Sequence, residues 1–249
     1  MRHLKLALLN IWVWSLFVSF TGIVAPLLSI VVVALVPFLP KSRIMKIFRG
    51  FIRFYGQVVI RLPYPFIRVN FTDKAGLKMV APYIFICNHR STIDAFLMAV
   101  FPIAQGVQVA NRWPFSIPVL GFYAKKADYI DITAYSTEEL MSVCRKFLDA
   151  QVPVIFFPEG TRAKTREMGI FRGAAFELFR RAGVPIVPVC ISGSEIVMPK
   201  GSLVLHPGIV EITALPEVHL DSFAGLNNYV IKNRVRKLIE SELVGMDAR

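Results

Sequence analysis

The stretch Tyr83-Ile84-Phe85-Ile86-Cys87-Asn88-His89-Arg90-Ser91-Thr92-Ile93-Asp94 passes from wholly apolar to mostly polar within one turn of chain. Its first five residues are bulky and uncharged, the composition of a strand buried on both faces. A polar cluster just past the carboxyl end of such a strand is where α/β domains place their ligands. Outward from it, strand-like runs at 66–71, 107–110, 128–132, 154–157, 186–191, 203–205 and 210–215 alternate with helix-like runs at 92–101, 137–150, 173–182 and 228–243. The alternation predicts an α/β fold, a mixed central sheet flanked by helices, filling residues 63–249 as one domain. No internal repeat or low-complexity segment interrupts it.

The 249 residues are 55% hydrophobic and 18% charged, with a mean hydropathy of +0.54. That excludes a disordered chain or a coiled coil. Arg and Lys exceed Asp and Glu by 12, and nine cations fall in the first 68 residues, before the first acid, Asp73. An anionic partner follows. Three cysteines, Cys87, Cys144 and Cys190, sit in apolar surroundings and form neither a disulfide framework nor a zinc pattern.

Residues 6–40 carry no charge. As one helix they would reach ~52 Å, against a hydrocarbon core of about 30 Å. Gly22 and Pro26 supply a break, so the stretch predicts a helical hairpin that enters the bilayer and returns, with both feet on the cytoplasmic side. One tilted span with an interfacial piece is the alternative; a signal peptide is disfavoured by the length of the run. Residues 41–61 interleave Lys and Arg with Ile44, Ile47, Phe48, Phe51, Ile52, Phe54 and Tyr55, the pattern of an amphipathic helix on an anionic membrane. An ordinary basic face over a core would read the same way. Residues 1–62 are thus expected to be a membrane anchor with a basic interfacial helix. Cations that follow directly on an anchor argue against nucleic acid.

His89 and Asp94 are five apart, which on a regular helix leaves them roughly 140° from each other. They meet if His89 stays in a loop, Ser91 or Thr92 caps a helix and Asp94 lies in its first turn. The carboxylate would then fix the imidazole tautomer and leave the second ring nitrogen as a base. Read alone, a satisfied polar pair is the commoner case. The second cluster is Phe157-Pro158-Glu159-Gly160-Thr161-Arg162, in which Gly160 permits a tight turn and Arg162 offers a fork to phosphate, with Lys164, Arg166 and Arg172 adding charge. Alone it is also a plain turn with an ion pair. Val184-Pro185-Ile186-Val187-Pro188-Val189 would line an apolar tunnel or form a core strand.

Taken in order, Asn88-His89 with Asp94 (N-H-x-x-x-x-D), F-P-E-G-T-R at 157–162 and V-P-I-V-P-V at 184–189 resemble the blocks of the glycerolipid acyltransferases, the group that contains the lysophosphatidic acid acyltransferases. The resemblance covers about residues 60–215. It implies a membrane enzyme of phospholipid biosynthesis that moves a fatty acyl group from a thioester, acyl-CoA or acyl carrier protein, to a lysophospholipid hydroxyl, most simply lysophosphatidate to phosphatidate. It implies His89 as general base, Asp94 as its orienting partner, and Asn88, Arg112, Glu159, Gly160, Thr161 and Arg162 around the substrate. No cofactor and no metal is implied, and His3, His206 and His219 have no ligand-like spacing to His89. The active site would face the cytoplasm, at the inner membrane in a bacterium, with anionic lipids as surface partners. Two positions depart from the family: Ile132 stands where an Arg is usual and Asn111 where a Lys is common, so that Arg112, Lys125 or Lys126 must substitute or the acceptor is less anionic. A different lysolipid acceptor is therefore the alternative, with a non-catalytic membrane-binding protein behind it.

Overall fold

The computed structural model describes residues 2–117, 120–163 and 166–248; Lys164 lies outside them. The strands are β1 (Ile67–Asp73), β2 (Ile84–Cys87), β3 (Val107–Ala110), β4 (Ile130–Asp131), β5 (Val154–Phe156), β6 (Ile186–Ser192) and β7 (Gly208–Ala214). They form one sheet in the order β1-β7-β6-β2-β5-β3-β4. β6, β2, β5, β3 and β4 run parallel, whereas β7 is antiparallel to β6 and parallel to β1, so the sheet is mixed. The carboxyl ends of β2, β3, β5 and β6 therefore collect along one edge.

Among the described residues the helices are α1 (Arg2–Ser19), α2 (Ala25–Leu35), α3 (Lys41–Arg61), α4 (Asp94–Leu97), α5 (Trp113–Ser116), α6 (Leu120–Lys126), α7 (Thr137–Asp149), α8 (Ala174–Ala182), α9 (Ser194–Val197) and α10 (Asn228–Asp247). The period-two pleat sorts each central strand between two cores. Ile84, Ile86, Val154, Phe156, Ile186 and Cys190 meet α7, α8 and α10 on one face. Phe85, Cys87, Ile155, Val187, Val189 and Ile191 meet α1, α4 and α9 on the other. The 184–189 block thus supplies a core strand in the middle of the sheet.

Four expectations are corrected. The apolar front end does not fold back at Gly22 and Pro26: His3–Leu35 is one continuous helix, with a π turn over Phe20–Val24 between α1 and α2. Pro26 lacks the N–H that would reach the Gly22 carbonyl, and the wider π turn falls at that carbonyl, accommodating the ring without breaking the helix. The chain reverses later, through Val36–Phe38 and Pro40, into α3. Second, α3 turns its apolar face to the body. Phe48 and Tyr55 are buried, a Cβ on Gly56 would stand 2.8 Å from Ala99, and Arg49 donates to the Ala127 carbonyl at 3.1 Å and to Gln105 at 2.9 Å. Only part of its charge, including Lys41, Arg43, Lys46 and Arg61, is exposed. Third, residues 203–205 form no strand; the Asn10 side chain takes a strand's place, accepting the Leu205 amide at 2.7 Å and donating to its carbonyl at 2.8 Å. Fourth, the helix expected at 92–101 is only α4 followed by a 3-10 turn, Met98–Val100.

Candidate active site

At the collecting edge, β2 delivers Asn88 and His89 and β5 delivers the 157–162 turn beside them. His89 Nδ1 lies 2.8 Å from Asp94 Oδ2. The same oxygen accepts the backbone N–H of Arg90 and of Ser91, each at 2.7 Å. Asp94 is fully buried, and a carboxylate taken out of water needs such donors. With Nδ1–H given to Asp94, Nε2 is the basic nitrogen of the ring. The imidazole is one-fifth exposed and packs on Phe157 at a centroid distance of 4.6 Å. Of the two expected caps, Ser91 Oγ accepts the Ile93 N–H at a long 3.4 Å while donating to the Met198 carbonyl at 2.6 Å, and Thr92 Oγ1 accepts instead from Arg162 Nη1.

Glu159 is buried and works as a clamp. One carboxylate oxygen accepts the His89 N–H at 2.8 Å and the other the Gly169 N–H at 2.8 Å. Burial pushes its carboxyl above the usual glutamate range, against the pull of those two amides. Gly160 adopts φ +69°, and a Cβ there would stand 2.7 Å from Arg172 Nε, so the glycine makes room for that guanidinium. Its carbonyl accepts from Asn111 at 3.0 Å, which explains what Asn111 does in place of a lysine. Thr161 and Arg112 are exposed at this rim.

Asn88, expected among the substrate-binding residues, is placed elsewhere. It is fully buried and spends its amide on β6, accepting the Ile191 N–H at 2.7 Å and donating to the Ile191 carbonyl at 2.9 Å. It is a bolt between β2 and β6. Lys125 and Lys126 close α6 ahead of β4, on the side where β3 and β4 begin, whereas His89 follows the end of β2. They are not placed to replace the missing cations. Lys200, which sequence reasoning passed over, donates to the Arg162 carbonyl at 2.5 Å. Cys87 is buried with Sγ 3.7 Å from Met98 Sδ, and burial drives its thiol well above the ordinary range, so it is no nucleophile. Also missed was Arg90, whose guanidinium meets Asp247, 157 positions away; no local pattern links the two.

The chain is 28% identical to the chloroplastic 1-acyl-sn-glycerol-3-phosphate acyltransferase BAT2 of Brassica napus, over 79% of this chain and 58% of that protein. It is 32% identical to the 1-acyl-sn-glycerol-3-phosphate acyltransferase of Saccharomyces cerevisiae, over 48% of this chain and 42% of that one. It spans about half the length of the curated relatives it matches. The crystal structure of the 1-acyl-sn-glycerophosphate acyltransferase PlsC of Thermotoga maritima superposes with a TM-score of 0.81, covering 100% of this chain and 99% of that one at 21% identity, a shared fold. The family description "Acyltransferase" matches residues 68–192, half of the chain, from β1 to the end of β6 and across both the 88–94 and 157–162 blocks, and the chain belongs to that acyltransferase family.

Proposed function

We propose that the chain is a membrane-bound O-acyltransferase that carries a fatty acyl group from a thioester of coenzyme A or acyl carrier protein to the free hydroxyl of lysophosphatidate, yielding phosphatidate. The observation that carries this reading is the His89–Asp94 pair, with Nδ1 held at 2.8 Å at the edge where the parallel strands end, and with Arg162 donating to Thr92 Oγ1, three residues on from His89. His89 Nε2 takes the hydroxyl proton as the acceptor oxygen attacks the thioester carbonyl. The new C–O bond forms, the tetrahedral intermediate collapses with loss of the C–S bond, and the imidazolium returns its proton to the departing thiolate. Asp94 orients the ring and stabilises its charged form throughout. No enzyme nucleophile is needed. Arg162, with Lys200, Arg172 and Arg112 near the same rim, would receive the acceptor phosphate.

In this reading residues 1–62 anchor the protein and 63–249 carry the chemistry. His3–Leu35 is long and apolar enough to cross a membrane, and Leu4, Leu8, Ile11, Ile23, Leu27 and Ile30 are exposed along it. Its contacts with the body recur along its length, Asn10 to Leu205, Trp14 to Leu203, Thr21 to Tyr55 and Ala25 to Tyr123, which favours a helix embedded alongside the domain in one leaflet over one standing clear of it. The exposed cations of α3 would meet anionic headgroups on the cytoplasmic side. A second acceptor, a lysolipid with less negative charge, is favoured by one observation, the commitment of Asn111 to the Gly160 carbonyl.

The test is acyl transfer by the detergent-solubilised protein, with lysophosphatidate and a lysolipid panel against both donors. Phosphatidate should form, and His89→Ala should lose about 10²–10⁴-fold in kcat. A folded wild-type protein that acylates no lysolipid with either donor would overturn the reading.

A further inference from the structure

Arg90 follows the proposed base directly, yet it is only 2% exposed and points away from the site. Its guanidinium meets Asp247 in the last turn of α10 through two parallel hydrogen bonds, Nη1 to Oδ1 at 2.7 Å and Nη2 to Oδ2 at 2.8 Å. Nη2 also donates to the Arg166 carbonyl at 2.6 Å, in the segment after the 157–162 turn. Ser192, at the end of β6, donates to Asp247 Oδ1 at 2.5 Å, and Glu195 of α9 stands 3.6 Å from Arg90 Nη1. Three stretches distant from Arg90 in sequence, at residues 166, 192–195 and 247, thus converge on one buried ion pair. Burial opposes the charge on Asp247, but the bonds from Arg90 and Ser192 prevail and hold its carboxyl below the usual range.

We propose that Asp247 is a positioning residue for catalysis: through Arg90 it fixes the peptide that carries His89 against Asp94. The route is short. The backbone N–H of Arg90 is one of the three donors to Asp94 Oδ2, so the side chain that Asp247 grips and the amide that sets the His89–Asp94 geometry belong to the same residue. A bidentate pair fixes orientation as well as distance. When it is lost, a buried arginine seeks water and drags the 89–91 backbone with it. A misplacement of about 1 Å at a reacting centre costs on the order of 10²-fold in rate.

The inference rests on the acyltransfer reading, so its test has one arm that does not. Asp247→Asn, Arg90→Lys and the milder Ser192→Ala are compared with wild type for kcat, for KM of both substrates, and for hydrogen exchange of a peptide spanning residues 88–97. In Asp247→Asn and Arg90→Lys, kcat should fall about thirty- to hundredfold with both KM values within about threefold. The 88–97 amides should exchange faster while those of β5 and α7 keep their protection. Asp247→Glu should recover part of the loss, and Ser192→Ala should show a smaller change of the same kind. Unchanged kcat and exchange, or loss of protection spread evenly over the sheet, would overturn the proposal. A wild-type enzyme without acyl transfer would overturn the reading of the reaction alone, because the exchange arm still decides whether Asp247 holds the loop.

Discussion

Glu159 Oε1 accepts the backbone N–H of His89 at 2.8 Å, so the second sequence block holds the residue that the first block supplies. The bond crosses from the end of β5 to the end of β2, neighbours in the sheet, and it gives the glutamate a structural task in place of substrate contact. Its other oxygen ties down Gly169, beyond the turn.

Replacing Glu159 therefore separates activity from stability. Glu159→Gln offers an N–H group to one of two amides that need an acceptor, and kcat should fall about ten- to hundredfold with little change in KM. Stability should move differently with pH. Burial raises the folded carboxyl above its unfolded value, so its favourable contribution is present in acid and is lost as pH rises through the raised value. Urea unfolding should show glutamine gaining on wild type between pH 4 and pH 7. A wild-type advantage over glutamine that grows as pH rises across that interval would refute the assignment.

Asp247 has the opposite sign. Its folded value lies below its unfolded one, so its contribution is complete above the ordinary aspartate range and disappears as pH falls through the lowered value. Wild type should lose its stability advantage over Asp247→Asn below about pH 4. Parallel stability curves down to pH 3 would count against the pairing.

At Gly160 the left-handed backbone and the adjacent Arg172 both exclude a side chain. Gly160→Ala should destabilise by about 1–3 kcal/mol and raise KM for the acceptor by displacing the guanidinium. Thermal melting and acceptor titration read the two effects separately.

Headgroup choice should depend on Arg162 and Lys200, which share a hydrogen bond at 2.5 Å. Arg162→Lys forfeits the planar fork and should raise KM for lysophosphatidate about tenfold or more, with a smaller change for lysophosphatidylcholine. Lys200→Ala should act in the same sense, more weakly. Equal losses on both acceptors would remove these residues from headgroup recognition.

Anchoring should survive salt. The full chain is expected to resist extraction at 1 M salt, where the Debye length is about 3 Å, and to need detergent, because the exposed face of His3–Leu35 is apolar. A chain lacking residues 1–40 should bind anionic vesicles only at low salt.

Much of this was legible in the residues themselves. Alternation of short apolar runs with helical ones predicts the α/β sheet because burial on both faces writes itself as continuous hydrophobic strands, as in Ile84–Cys87 and Ile186–Ser192. His89 with Asp94, and the turn at 157–162, were legible as chemistry because each lies within a few residues of chain. What needed the tertiary structure was every partnership set by distance. Asn88 looked like a substrate residue until β6 brought the Ile191 backbone to it. Pro26 looked like a hairpin breaker, yet the adjacent π turn let the helix run on, and the reversal waited for Pro37 and Pro40. Arg49 looked like a membrane cation until the Ala127 carbonyl claimed it. Local pattern reports which side chains can bury or bond, since propensity and period act over a few residues. Which partner satisfies a buried polar group is decided by the packing of segments far apart in sequence, and so Asp247 reaches Arg90 only in the folded chain.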